Sequence, residues 1–287
     1  MATNKRLIVV TGPTASGKTC RAIQLAQQYH TEIVSCDSRQ FYVELNIGVA
    51  RPSPAELDAV PHHFIACRSV SNPYNVFDFE SDAISLLNGL FKRYDVVVAV
   101  GGSGLYIEAL CKGIAVLPDP PAALRASLQE RLAVEGIASL QEQLRQLDPD
   151  YYDRVDRCNP ARLQRALEVC LTAGRPYSEL LKQQELKKRP FEIDVEVVCR
   201  EPGELRSRID ARVEQMVADG LCDEVQSVWN LRHFNTLNTV GYREFFAYGS
   251  MKDAMSHLDE IVGSIKLNTW HYAKKQMTWC RKKYGQG

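Results

Sequence analysis

Gly12-Pro13-Thr14-Ala15-Ser16-Gly17-Lys18-Thr19 fits the pattern G-x-x-x-x-G-K-[ST], and its surroundings fit as well. A short apolar strand, Leu7 to Val10, leads into it. A helical pattern with Ala22, Leu25, Ala26 and Tyr29 on one face follows it. The glycines let the backbone curl so that successive N–H groups point inward at an anion. The helix adds its positive N-terminal end. Lys18 supplies a point charge, and the Thr19 hydroxyl is placed to hold a magnesium ion. From average residue usage, the four fixed positions match by chance in such a chain about one time in a hundred. The strand before and the helix after favour a phosphate or diphosphate site over an ordinary glycine turn.

The 287 residues suffice for one large domain or two modest ones, and 45% apolar residues allow a sizeable core. Formal net charge is zero, so any nucleic-acid contact must use local patches. Nine scattered cysteines, odd in number and without a C-x-x-C pair, read as free thiols of a reducing cytoplasm. No apolar run reaches about 18 residues, so no membrane span is expected. The N-terminus leads directly into the first strand and leaves no room for a targeting peptide.

Working outward from the loop, Glu32 to Cys36 reads as a second strand and delivers Asp37-Ser38-Arg39-Gln40 at its end. In an open α/β sheet, ligand-contacting groups gather at the carboxyl ends of the strands. This places Asp37 near the phosphate loop; a capping or turn aspartate is the structural alternative. His62-His63 invites a metal reading. Adjacent residues point apart, however, and no third ligand has a fitting spacing, so a structural role is expected. Phe77 to Leu90 has helical spacing. Tyr94 to Val100 is a valine-rich run typical of a central parallel strand. It ends in Gly101-Gly102-Ser103-Gly104-Leu105-Tyr106, where a nucleotide-hydrolysing P-loop protein usually carries a magnesium-binding aspartate. The only acid here, Asp95, is at the wrong end. The glycines instead let a substrate approach, and Ser103 offers a hydroxyl.

From Pro118 to about Pro190 the pattern turns helical, over 124–136, 139–147 and 160–174, with no comparable strand until Ile193 to Val198. The expected organisation is an α/β, P-loop NTPase-like parallel sheet flanked by helices and interrupted by an all-helical insertion. Its parts are 1–117, the insertion 118–190, and 191–287. In the insertion Arg162 and Arg165 share a helix side, with Arg154, Arg157 and Arg175 nearby. Interleaved acids make a solvated, salt-bridged surface an equal alternative. Leu205, Ile209, Val213 and Met216 form an apolar stripe that stops at Gly220. Arg208 and Arg212 lie beside it, and Arg212 has no opposite charge three or four residues away on its own helix, so it reads as a waiting anion ligand or a plain surface arginine. Lys266 to Gly287 carries six lysines and arginines and no acid, interleaved with Trp270, Tyr272, Trp279 and Tyr284. Such a segment suits a nucleic-acid surface or an amphipathic helix with its aromatics inward.

Taken together these stretches resemble the tRNA dimethylallyltransferases (tRNA isopentenyltransferases) of bacterial type. The matching segments are the loop at 12–19, Asp37-Ser-Arg-Gln40, Gly101-Gly-Ser-Gly-Leu-Tyr106, Asn159-Pro-Ala-Arg-Leu-Gln-Arg-Ala-Leu-Glu-Val169, Val240-Gly-Tyr-Arg243 and Tyr272-Ala-Lys-Lys-Gln-Met-Thr-Trp279. The resemblance implies transfer of a prenyl group from dimethylallyl diphosphate to N6 of the adenosine 3′ of the anticodon, position 37. The loop would hold the donor's diphosphate rather than ATP, although the family is described as nucleotide- and ATP-binding. Lys18, Thr19 with magnesium, the loop amides and Arg212 would stabilise the leaving group. Asp37 would accept the N6 proton, and Ser103 would bind the base. Asp37, Ser38, Arg39, Gln40, Ser103, Arg125, Ala161, Arg162, Leu163, Gln164, Arg165, Gly241, Tyr242 and Arg243 would contact the tRNA anticodon stem-loop. The target base would leave its stack to enter the pocket. Trp270-His271 departs from the arginine-containing pair of many relatives, and the chain ends soon after Lys283 without a C-terminal extension or zinc finger. A cytoplasmic monomer is expected. Other P-loop chemistries that fit the motif are a small-molecule kinase and a prenyltransferase acting on free AMP.

Overall fold

The computed structural model describes residues 5–72, 74–115, 117–183 and 187–285. Alternation along the strands sets the layers. In β1 (Arg6–Thr11) Leu7 and Val9 enter one apolar core, while Ile8 and Val10 enter another. This period of two on a strand covered on both faces is the signature of a doubly covered parallel sheet. The loop follows, then α1 (Lys18–Gln28), whose Ala22, Leu25 and Ala26 close the second core. β2 (Ile33–Ser35), α2 (Pro54–Ala59), β3 (His62–His63), α3 (Val76–Leu90), β4 (Val96–Gly101) and α4 (Gly104–Lys112) come next. The two-core division recurs in β4: Val97 and Ala99 face α3 and α4, and Val98 and Val100 face α1. The five strands lie in the order β3-β2-β4-β1-β5, every pairing parallel.

Two compact units result: one of residues up to Lys112 and from Lys188 on, the other of Gly113–Lys187. The insertion thus starts and ends a few residues earlier than 118–190. The reason at its far end is Arg189. Its guanidinium pairs with buried Glu80 at 2.9 Å and donates to the carbonyl of Leu110 at 2.9 Å, fixing the chain to the sheet-bearing unit before β5 (Glu192–Val197) begins.

The second unit is all helical among its described residues: α5 (Ala122–Glu135), α6 (Ile137–Leu147), α7 (Pro149–Tyr152), α8 (Pro160–Ala173) and α9 (Tyr177–Lys182). Leu128, Leu140, Leu144, Leu163 and Leu167 form its core. Buried Asp148 caps Tyr151 N at 3.0 Å and accepts from the Ser178 amide at 2.6 Å and hydroxyl at 2.7 Å, tying α9 to α7. Asn159 caps α8 through Arg162 N at 3.2 Å, and Pro160 takes the first helical position, where a missing N–H does no harm.

After β5 come α10 (Pro202–Ala218), α11 (Leu221–Ser227), α12 (Arg243–Phe246), α13 (Met251–Ser256) and the long α14 (Leu258–Tyr284). The α10 stripe buries Leu205, Ile209 and Val213, and Gly220 adopts φ +100° just past its end, as the sequence suggests. The segment 46–48 is held by one carboxylate. Glu224 accepts from the amides of Asn46 (3.1 Å), Ile47 (2.8 Å) and Gly48 (2.9 Å), and from the Tyr242 hydroxyl at 2.5 Å. Burial pushes the Tyr242 phenol far above its ordinary pKa, with Glu224 adding to the shift. Removing only one partner of such a set is milder than stranding every donor. Tyr242→Phe is expected to lower unfolding free energy by about 1 kcal/mol, and Glu224→Ala by about 3 kcal/mol, in urea denaturation.

Candidate active site

The loop after β1 is built from backbone that side chains resist. Gly12 has φ +148° and a Cβ there would lie 2.3 Å from the Val198 carbonyl oxygen. Ala15 takes φ +63° and Gly17 φ +95°. Carbonyl oxygens on the loop are drawn aside by two arginines: Arg208 Nε donates to Ala15 O at 2.7 Å, and Arg200 Nε to Ser16 O at 3.1 Å. Two loop amides are also engaged, Ser16 N by Pro13 O at 3.3 Å and Thr14 N by a side chain of the last helix, and the others suit an anion. The Ser16 hydroxyl is buried without a hydrogen-bond partner, an orphan polar group inside the loop.

Cationic groups converge on the same loop. Part of the Lys18 stem meets solvent, but its ammonium is withdrawn from it. Burial lowers its pKa to about 8, against the raising effect of Asp37; Arg212 lowers it further. Nζ reaches only a loop carbonyl, Pro13 O at 3.3 Å. Arg212 Nη1 lies 3.4 Å from the Thr14 hydroxyl, and no ion pair joins Arg212 to an acid among the described residues. Burial, then Arg208, pushes its guanidinium below the usual value. Desolvated cations without a carboxylate partner are a standing demand for an anionic ligand.

Across the cavity stand the ends of β2 and β4. Asp37 Oδ1 accepts the Arg39 amide at 3.0 Å in an Asx turn. Ser103 Oγ accepts from Ser38 N at 3.1 Å and donates to Ser38 Oγ at 3.2 Å, so the two strand ends are hydrogen-bonded to each other. Four residues of α14 at helical spacing, Ile265, Thr269, Tyr272 and Gln276, form one wall. Gln276 Oε1 accepts from Thr14 N at 2.8 Å, and its Nε2 donates to Gly102 O at 2.9 Å. One amide side chain thereby joins the anion loop to the Ser103 turn. The Tyr272 ring is 44% exposed, yet its hydroxyl reaches the closed part of the cavity beside Ser103 and Gln276. Burial, then the Asp37 charge, push its pKa up to about 12.

Thr14, Lys18, Arg212, Asp37, Ser103 and Tyr272 therefore line one cavity of about 460 Å³. A more open depression of about 670 Å³ lies beside His63 and Arg93, where the charged groups are already matched. There Glu32 takes His63 Nε2 at 2.6 Å, Arg93 at 2.9 Å and the Tyr94 hydroxyl at 2.9 Å. His62 Nδ1 is engaged by Val60 O at 2.7 Å, so the histidine pair is committed to structural contacts. Of these two cavities it is the more enclosed one that presents, among the described residues, unmatched cations facing a carboxylate.

The other residues singled out from sequence fall into three groups. Gly241 and Arg243 line the same cavity, as do Ser38 and Arg39. Gly241 N donates to Glu244 at 2.9 Å, Arg243 pairs with Glu244 at 3.1 Å, and Arg39 Nη1 donates to Thr236 O at 3.0 Å. Exposed positions in the helical unit are Ala161 and Arg162, while Arg125 pairs with Asp119, and Gln164 and Arg165 both engage Glu168 (3.0 and 3.6 Å). Three expected RNA contacts need correction. Tyr242 is wholly buried under Glu224, and Leu163 is core. The Gln40 amide is spent on Val49 O (3.3 Å) and Ala50 O (2.9 Å), so it shapes the loop instead. On α14 the two readings divide by residue. Trp279 packs on the core, and Trp270 sits between Arg206 and Lys274, 5.9 and 5.8 Å from its ring centre. Sequence reasoning missed Tyr272, Gln276, Arg200 and Arg208 as parts of the site. The spacing of 265, 269, 272 and 276 was the available signal for the first two.

Residues 40–283 match the family described as IPP transferase. The tRNA dimethylallyltransferase 1 of Bacteroides thetaiotaomicron is 44% identical over 276 residues, 96% of this chain and 88% of the relative. The tRNA dimethylallyltransferase of Christiangramia forsetii is 43% identical over 277 residues, covering 96% and 90%. Among solved structures, the full-length tRNA isopentenylpyrophosphate transferase of Bacillus halodurans superposes with a TM-score of 0.66 at 30% identity, over 98% of this chain and 88% of that one. A eukaryotic dimethylallyltransferase acting on tRNA shares the fold, with a TM-score of 0.79 at 24% identity, over 96% and 70%. By its sequence over nearly its whole length, this chain belongs to the IPP transferase family, the family of the tRNA dimethylallyltransferases.

Proposed function

We propose that the protein transfers the dimethylallyl group of dimethylallyl diphosphate to N6 of the adenosine 3′ of the anticodon in tRNA. The observation that carries this is the single cavity in which unmatched cations at an anion loop face Asp37 and Ser103. The donor's diphosphate lies on the loop amides, Lys18 and Arg212. As the C1–O bond breaks, its electron pair goes to the diphosphate, and these fixed cations meet the growing charge. N6 bonds to C1, and its proton passes to Asp37. Ser103, steadied by Ser38, orients the base, and the walls of the cavity keep water from the allylic carbon.

Magnesium fits this donor set in a limited way. Among the described residues no cluster of three or more acids, histidines or cysteines could cage an ion. The Thr19 hydroxyl and phosphate oxygens would hold it, which suits an ion that keeps most of its waters. Bound there, it would supply charge to the leaving group. Exposed Arg125 and Arg162 and the partly open Arg165 give the helical unit cationic groups for the anticodon arm. All nine cysteines are free, which supports a reducing cytoplasm, and no described helix is long and apolar enough to cross a membrane.

Incubation with radiolabelled dimethylallyl diphosphate and either unmodified tRNA or AMP is expected to label tRNA alone. Label in AMP, or ATP consumption without prenyl transfer, would replace the reading with one of its rivals. Asp37→Ala is expected to keep tRNA binding in a filter assay while lowering kcat by about 10²-fold or more. Lys18 contributes its charge below its pKa of about 8 and loses it above. Hence kcat/KM for the donor is expected to fall as pH rises through about 8, approaching tenfold per unit if the charge is essential. Lys18→Arg, charged throughout, should flatten that limb.

A further inference from the structure

The cavity also carries information on which donor it takes. Arg212 stands at the loop, 3.4 Å from the Thr14 hydroxyl, and marks the phosphate end. Met216 follows four residues on, on the same side of α10 and about 6 Å along it. Val213 lies between, 1% exposed, and Ile265 of α14, also 1% exposed, lines the same cavity with Val240. Asp37, Ser38, Ser103 and Tyr272 in the same lining are linked by hydrogen bonds or by charge. Val213, Met216, Val240 and Ile265 give the tail of a prenyl donor an apolar surface in the cavity that holds Arg212.

We propose that Met216 sets the length of the prenyl chain, stopping the tail one helical turn from the diphosphate. The proposal rests on the reading of this cavity as the prenyl-donor site. A single turn accommodates the four-carbon backbone of a dimethylallyl group and not the eight-carbon backbone of a geranyl group. Val213 and Ile265 are locked into the core, whereas Met216 and Val240 are half-buried and pack against it, and Met216 is the longer, unbranched one of the two. Its truncation opens space without removing a fully buried core side chain. The chemistry is the same for either donor: C1–O breaks toward diphosphate, N6–C1 forms, and the N6 proton goes to Asp37. Only the room for the tail differs. Apolar pockets discriminate by missing or surplus methylenes over roughly 10- to 200-fold, and a surplus that cannot fit is rejected sterically.

The test uses the whole protein with unmodified tRNA and, separately, dimethylallyl or geranyl diphosphate, with mass spectrometry of the modified nucleoside. Inhibition by inorganic pyrophosphate, which has no tail, reports whether the loop is intact. Wild type is expected to give the five-carbon product. Met216→Ala is expected to shift the geranyl-to-dimethylallyl ratio of kcat/KM at least tenfold toward geranyl. Met216→Phe is expected to raise KM for dimethylallyl diphosphate about tenfold, with pyrophosphate inhibition retained. An unchanged ratio in the alanine variant, with pyrophosphate inhibition intact, overturns the proposal. If that variant loses pyrophosphate inhibition, the phenylalanine variant decides: an unchanged KM overturns the proposal, and a raised KM upholds it. Wild type that transfers nothing from dimethylallyl diphosphate to tRNA overturns the donor-site reading itself, and this inference with it.

Discussion

Everything at the site depends on a backbone held in a conformation that ordinary residues avoid. The loop from Gly12 to Gly17 gathers its amides around a point in space, and such an arrangement is costly when nothing fills it. Three side chains from far along the sequence meet that cost. Arg200 and Arg208 take loop carbonyls, and Gln276 takes the Thr14 amide. The sheet beneath supplies the rest, because β1 is flanked on both sides and cannot shift without disturbing two neighbours.

That construction explains why the donor and acceptor halves share one mechanical frame. Gln276 reaches the anion loop with one end and the Gly102 carbonyl with the other, beside the serine that would meet the base. A Cβ at Gly102 would come within 2.3 Å of the Gln276 amide nitrogen, so glycine there is the condition for the bridge. Distances between an allylic carbon and an incoming nitrogen must hold within a fraction of an ångström. A rigid link across the cavity serves that need better than two independently mobile walls.

Much of this was legible in the residues, for reasons that can be stated. The loop spacing is a local backbone requirement and so survives in any context. The valine run of β4 reflects burial on both faces, and Asn159-Pro160 is a helix start written in two residues. Other features were hidden because tertiary packing decides them. Tyr242 sits in a motif with three cavity residues, yet its ring turns into the core because Glu224 awaits its hydroxyl. Tyr272 and Gln276 lie in a helix equally rich in lysines and aromatics. Only the docking of α14 against the loop tells which face is the wall. Arg200 follows a strand and Arg208 lies on a helix flank, and neither position announces a carbonyl partner.

The order in which the chain emerges bears on when the cavity can exist. The helical unit is drawn from one continuous stretch and holds its own apolar core, so it can consolidate while synthesis proceeds. The other unit needs β5, α10 and α14, which are made after it, to complete the sheet edge and wall in the anion loop. A nascent chain halted before residue 258 would own a folded helical unit and an open, unbraced phosphate cradle, and the cavity gains its last wall only with the final helix.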